Sequence, residues 1–191
     1  MLNLAEQMIV TESTVTKEQL AEDFASSAKT SIFRKTAAAP LKILLENNCI
    51  KGSTLNFGKG KYDCDSNAIR EVTHCQDYDY THCPINILGR TWDTVYAGYV
   101  MNTLRPRSRQ VVWSQVAAAT KGTAYIAVRS DKDRGIRGEP MDDGVVTIRN
   151  TFQIGYTEQK LLSEAAQFFE HVEIVKGKSG FRIVKCSHSP F

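Results

Sequence analysis

Two glycines separated by one residue, Gly58 and Gly60, follow a short strand-like run and precede a polar stretch. Because glycine has no Cβ atom, the backbone can turn tightly there and approach a ligand closely. This spacing is typical of the loop that begins a nucleotide-type binding site, although ordinary turns share it. An acidic residue, Asp79, lies 19 positions beyond Gly60, close to the interval at which an acid binds a ribose in dinucleotide folds. The pattern favours a ribose-binding role for Asp79; the alternative is that it caps a turn before Pro84.

A second group of residues suited to ligand binding consists of arginines close to the predicted carboxyl ends of strands. Ligands bind beyond those ends in open α/β sheets, so the arginines predict a basic rim suited to phosphate or nucleic acid. The alternative is a solvated helix start and loop whose charge nearby aspartates neutralise. The rim consists of Arg105, Arg107, Arg109, Arg129, Arg134 and Arg137, and the aspartates are Asp131, Asp133, Asp142 and Asp143. The net charge of +3 permits a polyanionic partner without arguing for one.

Two His-Cys pairs, His74-Cys75 and His82-Cys83, contain residue types that bind zinc. Neighbouring residues on a strand point to opposite faces, however, and the sequence has no C-x-x-C pair. We therefore predict no metal site. The five cysteines are odd in number and scattered, unlike a disulfide framework, and favour a reducing, cytoplasmic setting.

Length and composition favour one soluble domain. The 191 residues are 42% hydrophobic and 24% charged, which is typical of a globular protein with a substantial core. No run of 18 apolar residues occurs, and residues 1–7 lack a basic region followed by an apolar one. We predict neither a membrane span nor an export signal.

The elements that must position the candidate residues can be predicted from capping signals and hydrophobic periodicity. Thr16 and Gln19 have the spacing of a capping box and predict a helix through Ala28. Further helices are predicted around 41–45 and over 66–73, 106–122 and 158–170, and strands over 54–57, 75–80, 92–98 and 123–128. Strands that alternate with helices indicate a parallel sheet covered by helices. A closing hairpin is predicted at 172–175 and 181–184, and the long charged segment 129–156 is predicted to be a functional loop or lid.

The order of these parts resembles the class I S-adenosylmethionine-dependent methyltransferases, and most closely the methyltransferase-like proteins found alongside DNA phosphorothioation gene clusters. The matching pieces span most of the chain. They are Arg34-Lys35-Thr36-Ala37 with Pro40, Leu55 to Gly60, Tyr78-Asp79, Tyr99 to Asn102, Ile126 to Arg129, Asp143 to Thr147 and Thr151 to Gln153. The resemblance implies a three-layer Rossmann-like methyltransferase sheet with a terminal antiparallel hairpin. The connection from Tyr80 to Trp92 is too short for a helix and a further strand, so the sheet is predicted to be reduced at its strand-3 edge.

The resemblance also implies a domain division and a set of site residues. Residues 1–40 are predicted to form an N-terminal helical extension and residues 41–191 the methyltransferase-like Rossmann domain. S-adenosylmethionine is the implied cofactor, with Gly58 and Gly60 beside its methionine part and Asp79 on its ribose. The full implied cofactor set is Asn56, Gly58, Gly60, Asp63, Asp79, Tyr80 and Gly98. Tyr99 and Asn102 are implied beside the reactive methyl group, with a helix-start role as the alternative for Asn102, and substrate binding is assigned to Arg34, Lys35, Arg129, Gln153 and Tyr156.

The leading functional hypothesis is a methyltransferase acting on nucleic acid or a nucleic-acid-linked molecule. Asn56, Lys59 and Tyr62 depart from the family pattern, in which an acid, a small residue and a glycine are usual. These departures motivate one alternative, an enzyme that cleaves S-adenosylmethionine on the same fold. The arginine rim motivates another, a non-catalytic nucleic-acid-binding module.

Overall fold

The structure is a computed structural model and describes residues 15–191. The first helix, α1 (Lys17–Ala28), begins at the predicted capping box. The Thr16 hydroxyl accepts a hydrogen bond from the Gln19 amide at 3.2 Å, and the Gln19 side chain accepts one from the Thr16 amide at 3.0 Å. These reciprocal bonds satisfy two of the amides that a helix start leaves unpaired, which fixes where α1 begins.

A six-stranded sheet forms the centre of the molecule. Its strands are β1 (Thr54–Phe57), β2 (Cys75–Tyr78), β3 (Trp92–Gly98), β4 (Thr120–Arg129), β8 (His171–Val175) and β9 (Phe181–Ser187). Their spatial order is β2-β1-β3-β4-β9-β8. Strands β1 to β4 run parallel, and β9 runs antiparallel to its neighbours β4 and β8. β2 is the edge strand, and residues 79–91 add only an isolated bridge between Asp79 and Cys83. The predicted Rossmann-like fold, its reduced edge and its terminal hairpin are therefore confirmed.

Helices cover both faces of this sheet. They are α2 (Ala39–Glu46), α3 (Cys64–Arg70), α4 (Pro106–Ala119) and α5 (Glu158–Ala165), in addition to α1. Alternate residues of a strand point to opposite faces, so Val95 and Ala97 pack in the core with α1, α4 and α5, while Tyr96 packs with α2 and α3. The result is a three-layer α/β arrangement. It places the carboxyl ends of β1, β2 and β3 side by side.

The segment predicted to be a long loop is partly ordered as a small second sheet, which corrects that prediction. Its antiparallel strands are β5 (Glu139–Met141), β6 (Gly144–Val146) and β7 (Phe152–Gln153), in the order β5-β6-β7. Strands of two or three residues are too short to show a period of two, so the sequence pattern could not reveal them. Two ion pairs attach the β5–β6 turn to α4 and to the residue that precedes it, Arg109–Asp143 and Arg105–Asp142, respectively.

Several element boundaries also differ from prediction. Helix α3 begins at Cys64 and ends at Arg70, α4 ends at Ala119, and α5 ends at Ala165. Strand β4 begins at Thr120, because no loop separates it from α4. Such boundaries depend on tertiary contacts that a linear pattern does not contain.

The N-terminal helix packs directly on the central domain. Leu20 and Phe24 belong to the same apolar core as the central strands, and Asp23 accepts hydrogen bonds from Arg107 and Ser108 of α4. Residues 1–14 of the predicted extension lie outside the described residues, and the division at residue 40 stays a prediction. Within residues 15–191, no helix combines the length and apolar character needed to cross a membrane.

Candidate functional site

The glycine loop between β1 and α3 is shaped by contacts that exclude larger residues. Gly58 and Gly60 both have positive φ, +69° and +71°. A Cβ atom on Gly58 would lie 2.4 Å from the Val100 side chain, and one on Gly60 would lie 2.8 Å from the Ser31 hydroxyl. The amides of Gly58 and Lys59 both donate to the Tyr78 carbonyl, at 2.7 and 3.1 Å. Glycine is therefore required at both positions by backbone conformation and by space.

Asp79 connects the end of β2 to this loop. One carboxylate oxygen accepts a hydrogen bond from the Gly60 amide at 2.9 Å. The other accepts from the amides of Thr81 and His82, both at 2.9 Å, so the turn-capping role that the sequence left open is present. A carboxylate offers about four lone-pair sites, so one is left for a further donor. The turn cap and ligand binding are thus compatible at Asp79.

A cavity lies beside the loop, at the carboxyl ends of β1, β2 and β3. Of the residues predicted at the site, eight line it: Arg34, Asn56, Gly58, Gly60, Asp79, Tyr80, Gly98 and Tyr99. The structure adds residues that sequence reasoning missed, among them Phe24, Ser27, Ile32 and Asp65. The first three of these lie on α1 or in the connector that follows it. Their long separation from the glycine loop gave no local signal.

The remaining predicted residues lie away from the cavity lining. Asp63 and Lys35 are exposed, and Asp63 forms an ion pair with Lys59. Gln153 is buried and accepts hydrogen bonds from Asn102 and Arg129, at 3.2 and 3.3 Å. Tyr156 is fully buried and donates to Glu164 at 2.9 Å. In this structure Gln153, Arg129 and Tyr156 support the small sheet, which differs from the substrate contact that the resemblance implies.

Asn102 has a similar structural environment. It belongs to a 3-10 turn, Met101–Thr103, and is 1% exposed. Its amide donates to Gln153 at 3.2 Å, and its side-chain oxygen accepts from the Arg129 backbone at 3.3 Å. Asn102 thus ties the 3-10 turn to β4 and β7 and does not line the cavity.

Replacing Asn102 with alanine is expected to lower the free energy of unfolding by about 1–3 kcal/mol, because buried polar partners lose their hydrogen bonds. Urea unfolding of the variant measures this change. The matched control is Asn67→Ala, at an exposed asparagine of α3, which is expected to change stability by less than about 0.5 kcal/mol. Equal stability of the two variants would contradict the assignment.

Tyr99 follows β3 in a strained conformation. Its φ is +61°, which non-glycine residues rarely adopt, and its amide donates to the Ala127 carbonyl at 2.7 Å. The Arg34 guanidinium lies 5.7 Å from the centroid of the Tyr99 ring. Burial raises the pKa of the Tyr99 hydroxyl, so the side chain stays neutral near pH 7. The strain holds an aromatic ring at the cavity wall.

Asp65 also lines the cavity, and Tyr96 lies behind its wall, next to the lining residue Gly98. Asp65 accepts a hydrogen bond from the Ala38 amide at 2.7 Å, and burial raises the pKa of its carboxyl group. Tyr96 is fully buried, and its hydroxyl has no hydrogen-bond partner within residues 15–191. A Cβ atom on Gly98 would lie 2.5 Å from that hydroxyl, so glycine at this position leaves room for it.

Asn56 lies below the loop in a buried polar chain. Its side-chain amide donates to the Ser66 hydroxyl at 3.0 Å, and Ser66 donates to Asp77 at 2.6 Å. Asp77 is paired with Arg70. The position that the resemblance assigns to an acid is therefore occupied by a neutral donor that serves a carboxylate on β2.

The predicted basic rim is largely neutralised. Arg105, Arg107, Arg109 and Arg129 form ion pairs with Asp142, Asp23, Asp143 and Asp133, respectively. Arg109 is 2% exposed and belongs to the protein interior. Across residues 15–191, no group of three or more His, Cys, Asp or Glu side chains is arranged to hold a metal ion.

The architecture and the position of the cavity define the fold found in S-adenosylmethionine-dependent methyltransferases. A complex of DhpI with SAH superposes with a TM-score of 0.61 at 15% identity, over 92% of this chain and 97% of that one. The 1,6-didemethyltoxoflavin-N1-methyltransferase of Burkholderia thailandensis, bound to 1,6-didemethyltoxoflavin and S-adenosylhomocysteine, gives 0.62 at 15% identity, over 93% and 91%. A SAM-dependent methyltransferase from Bacteroides fragilis in complex with S-adenosylhomocysteine gives 0.56 at 16% identity, over 91% and 81%. No protein-family model and no curated protein sequence matches the chain, so the likeness lies in the fold.

Proposed function

We propose that this protein is an S-adenosylmethionine-dependent methyltransferase whose cofactor binds in the cavity beside the glycine loop. The observation that carries the proposal is the hydrogen bond from the Gly60 amide to Asp79. It joins a glycine loop after the first strand to an acid after the second, at the edge of the sheet where open α/β folds bind ligands. The ligand named for these structural neighbours, S-adenosylhomocysteine (SAH), supports the same assignment.

The residues at the cavity fit this cofactor. Gly58 and Gly60 leave space for close approach, and Asp79 retains a site for a ribose hydroxyl. When bound, S-adenosylmethionine supplies an electrophilic methyl group, and its in-line transfer depends on alignment more than on acid–base help. The contribution of the chain is therefore to hold and orient, through the loop and the strained residue Tyr99.

We propose a small molecule as the methyl acceptor. Residues of α1 and its connector, including Ser27, Ser31 and Arg34, line the cavity together with the glycine loop, so the acceptor must fit beneath or beside them. The neighbour bound to 1,6-didemethyltoxoflavin is an example of a small acceptor on this fold. A nucleic-acid acceptor, which the basic rim predicted, has less support because four of its arginines already pair with carboxylates. DNA binding that weakens steeply as the salt concentration rises would instead favour a nucleic-acid acceptor.

Isothermal titration with S-adenosylhomocysteine tests the cofactor assignment. The wild type is expected to bind, and Asp79→Ala is expected to weaken binding at least about tenfold, because it removes the ribose acceptor and releases the Gly60 amide. The matched control is Asp93→Ala. Asp93 also accepts a backbone amide, that of Ser53 at 2.9 Å, but at the amino ends of β1 and β3.

Two results would contradict the assignment. Absence of binding by the wild type would exclude S-adenosylmethionine as the cofactor. An equal loss of affinity in Asp79→Ala and Asp93→Ala would indicate a general loss of structure. The cofactor-cleaving alternative predicts a different result. Homoserine lactone or methylthioadenosine would then accumulate when the protein is incubated with S-adenosylmethionine without an acceptor, and chromatography detects both.

A further inference from the structure

We infer that Arg34 and Asp65 bind the α-amino-acid end of the cofactor, Arg34 its carboxylate and Asp65 its ammonium group. This inference rests on the proposed function and deepens it. The resemblance implies that an acid on β1 binds the ammonium group, whereas here Asp65 of α3 takes that role. Arg34, which the resemblance assigns to the substrate, instead binds the cofactor.

The first step is the nature of Asn56. This residue holds the β1 position of the expected acid, but its amide nitrogen donates to Ser66 within a chain that ends on Asp77. Asn56 is 2% exposed and carries no charge. Asp77 pairs with Arg70. An ammonium group in the cavity therefore needs its counter-charge from another residue.

Asp65 has the properties that this role requires. It lines the cavity, and one carboxylate oxygen accepts the Ala38 amide at 2.7 Å. The other oxygen accepts no hydrogen bond, and the side chain forms no ion pair, within residues 15–191. Burial, the largest effect on this group, raises its pKa. A carboxylate that is desolvated and has one bound donor gains strongly from a cation placed beside it.

Arg34 supplies the complementary charge. Its guanidinium lies over the Tyr99 ring, 5.7 Å from the centroid, and lines the same cavity. It forms no ion pair with a carboxylate of the described chain, although its charge acts on Asp65. Its planar donors remain able to bind a carboxylate in a bidentate manner.

Two opposite charges that share a cavity wall without pairing form a site for a zwitterion. The Tyr99 ring lines the same wall and lies 5.7 Å from the Arg34 guanidinium, so it helps to hold one of these charges in place.

The experiment compares two ligands in the absence of any acceptor. S-adenosylhomocysteine carries the α-amino-acid group, and 5′-methylthioadenosine lacks it. The variants Asp65→Asn and Arg34→Gln are each expected to lower the affinity for S-adenosylhomocysteine at least about tenfold in isothermal titration. Their affinity for methylthioadenosine is expected to change less than about twofold. Asparagine can still accept the Ala38 amide, so Asp65→Asn preserves that structural bond.

Two matched controls remove the same charges from exposed positions nearby. Lys42→Gln changes an exposed cation of α2, and Glu71→Gln changes an exposed carboxylate at the end of α3. Neither residue lines the cavity, and both variants are expected to bind each ligand as the wild type does.

The outcomes separate this inference from the proposed function. Binding of neither ligand by the wild type would overturn both. If the wild type binds both ligands, two results for Asp65→Asn and Arg34→Gln would overturn only the present inference. One is an equal loss of affinity for the two ligands, and the other is an unchanged affinity for S-adenosylhomocysteine. A selective loss of affinity for S-adenosylhomocysteine supports the inference. Because no acceptor is present in the experiment, such a loss also shows that the two charges bind the cofactor and not an amino-acid acceptor.

Discussion

Replacing Gly58 with alanine is expected to weaken S-adenosylhomocysteine binding by about a hundredfold or more, because the loop must shift and several hydrogen bonds to the ligand are lost together. The φ of Gly58 is +69°, and the new methyl group would lie 2.4 Å from the Val100 side chain, which lines the cavity. The expected fall in the free energy of unfolding is about 2–3 kcal/mol, from the unfavourable backbone conformation and the clash together. Titration and urea unfolding measure the two effects.

Gly89→Ala is the matched control for this prediction. Gly89 also has positive φ, +67°, but a Cβ atom there meets no atom within 4 Å. It is expected to lose about 1–2 kcal/mol of stability from the backbone conformation alone and to keep its affinity for the ligand. If Gly58→Ala retained wild-type affinity, the glycine loop would not form the cofactor site.

Replacing Arg109 with leucine is expected to lower the free energy of unfolding by about 3–5 kcal/mol, because it removes the buried cation and leaves Lys160 as the one cationic partner of two carboxylates. Arg109 is 2% exposed and forms ion pairs with Asp143 and Glu164. Burial opposes ionisation of Asp143, yet Arg109 and Lys160 hold its pKa below the ordinary value. Glu164 also accepts hydrogen bonds from Trp113 and Tyr156, at 3.2 and 2.9 Å. Loss of one guanidinium therefore disturbs α4, α5 and the small sheet together.

Arg105→Leu is the control for the Arg109 variant. It lies one turn earlier, beside α4, and pairs with Asp142 where both side chains are about one-third exposed. Water screens such a pair, so the expected loss is less than about 1 kcal/mol. Urea unfolding compares the two variants directly. A similar small loss for both would show that the Arg109 network contributes little to stability.

The arginines illustrate what a linear pattern leaves open. Arg105, Arg107 and Arg109 look alike in sequence, and all three suggested a basic rim. In the structure Arg109 is buried and the other two are partly exposed, each facing a different carboxylate. The partners lie between 34 and 84 positions away along the chain. Whether an arginine binds a ligand or holds the fold together depends on those distant partners.

The sequence by itself determined the features whose causes are local. The capping box at Thr16 and the glycines of the loop act through nearby backbone groups. The interval from Gly60 to Asp79 is set by the lengths of a short helix and a strand. The continuous apolar run at 124–128 likewise marks a strand that is buried on both faces. These features, together with the order of elements that resembles the class I methyltransferases, predicted the three-layer fold, its reduced edge and most of the cavity lining at the strand ends.

Only the tertiary structure decided which charged and polar groups are used for a site. The proposed cofactor ligands Arg34 and Asp65 come from a connector and a helix, and no local spacing relates them. Asn102, a plausible active-site residue in sequence, instead binds Gln153 and the Arg129 backbone. The physical reason is that burial and pairing fix the energy of a polar group, and both depend on neighbours that folding brings from far along the chain.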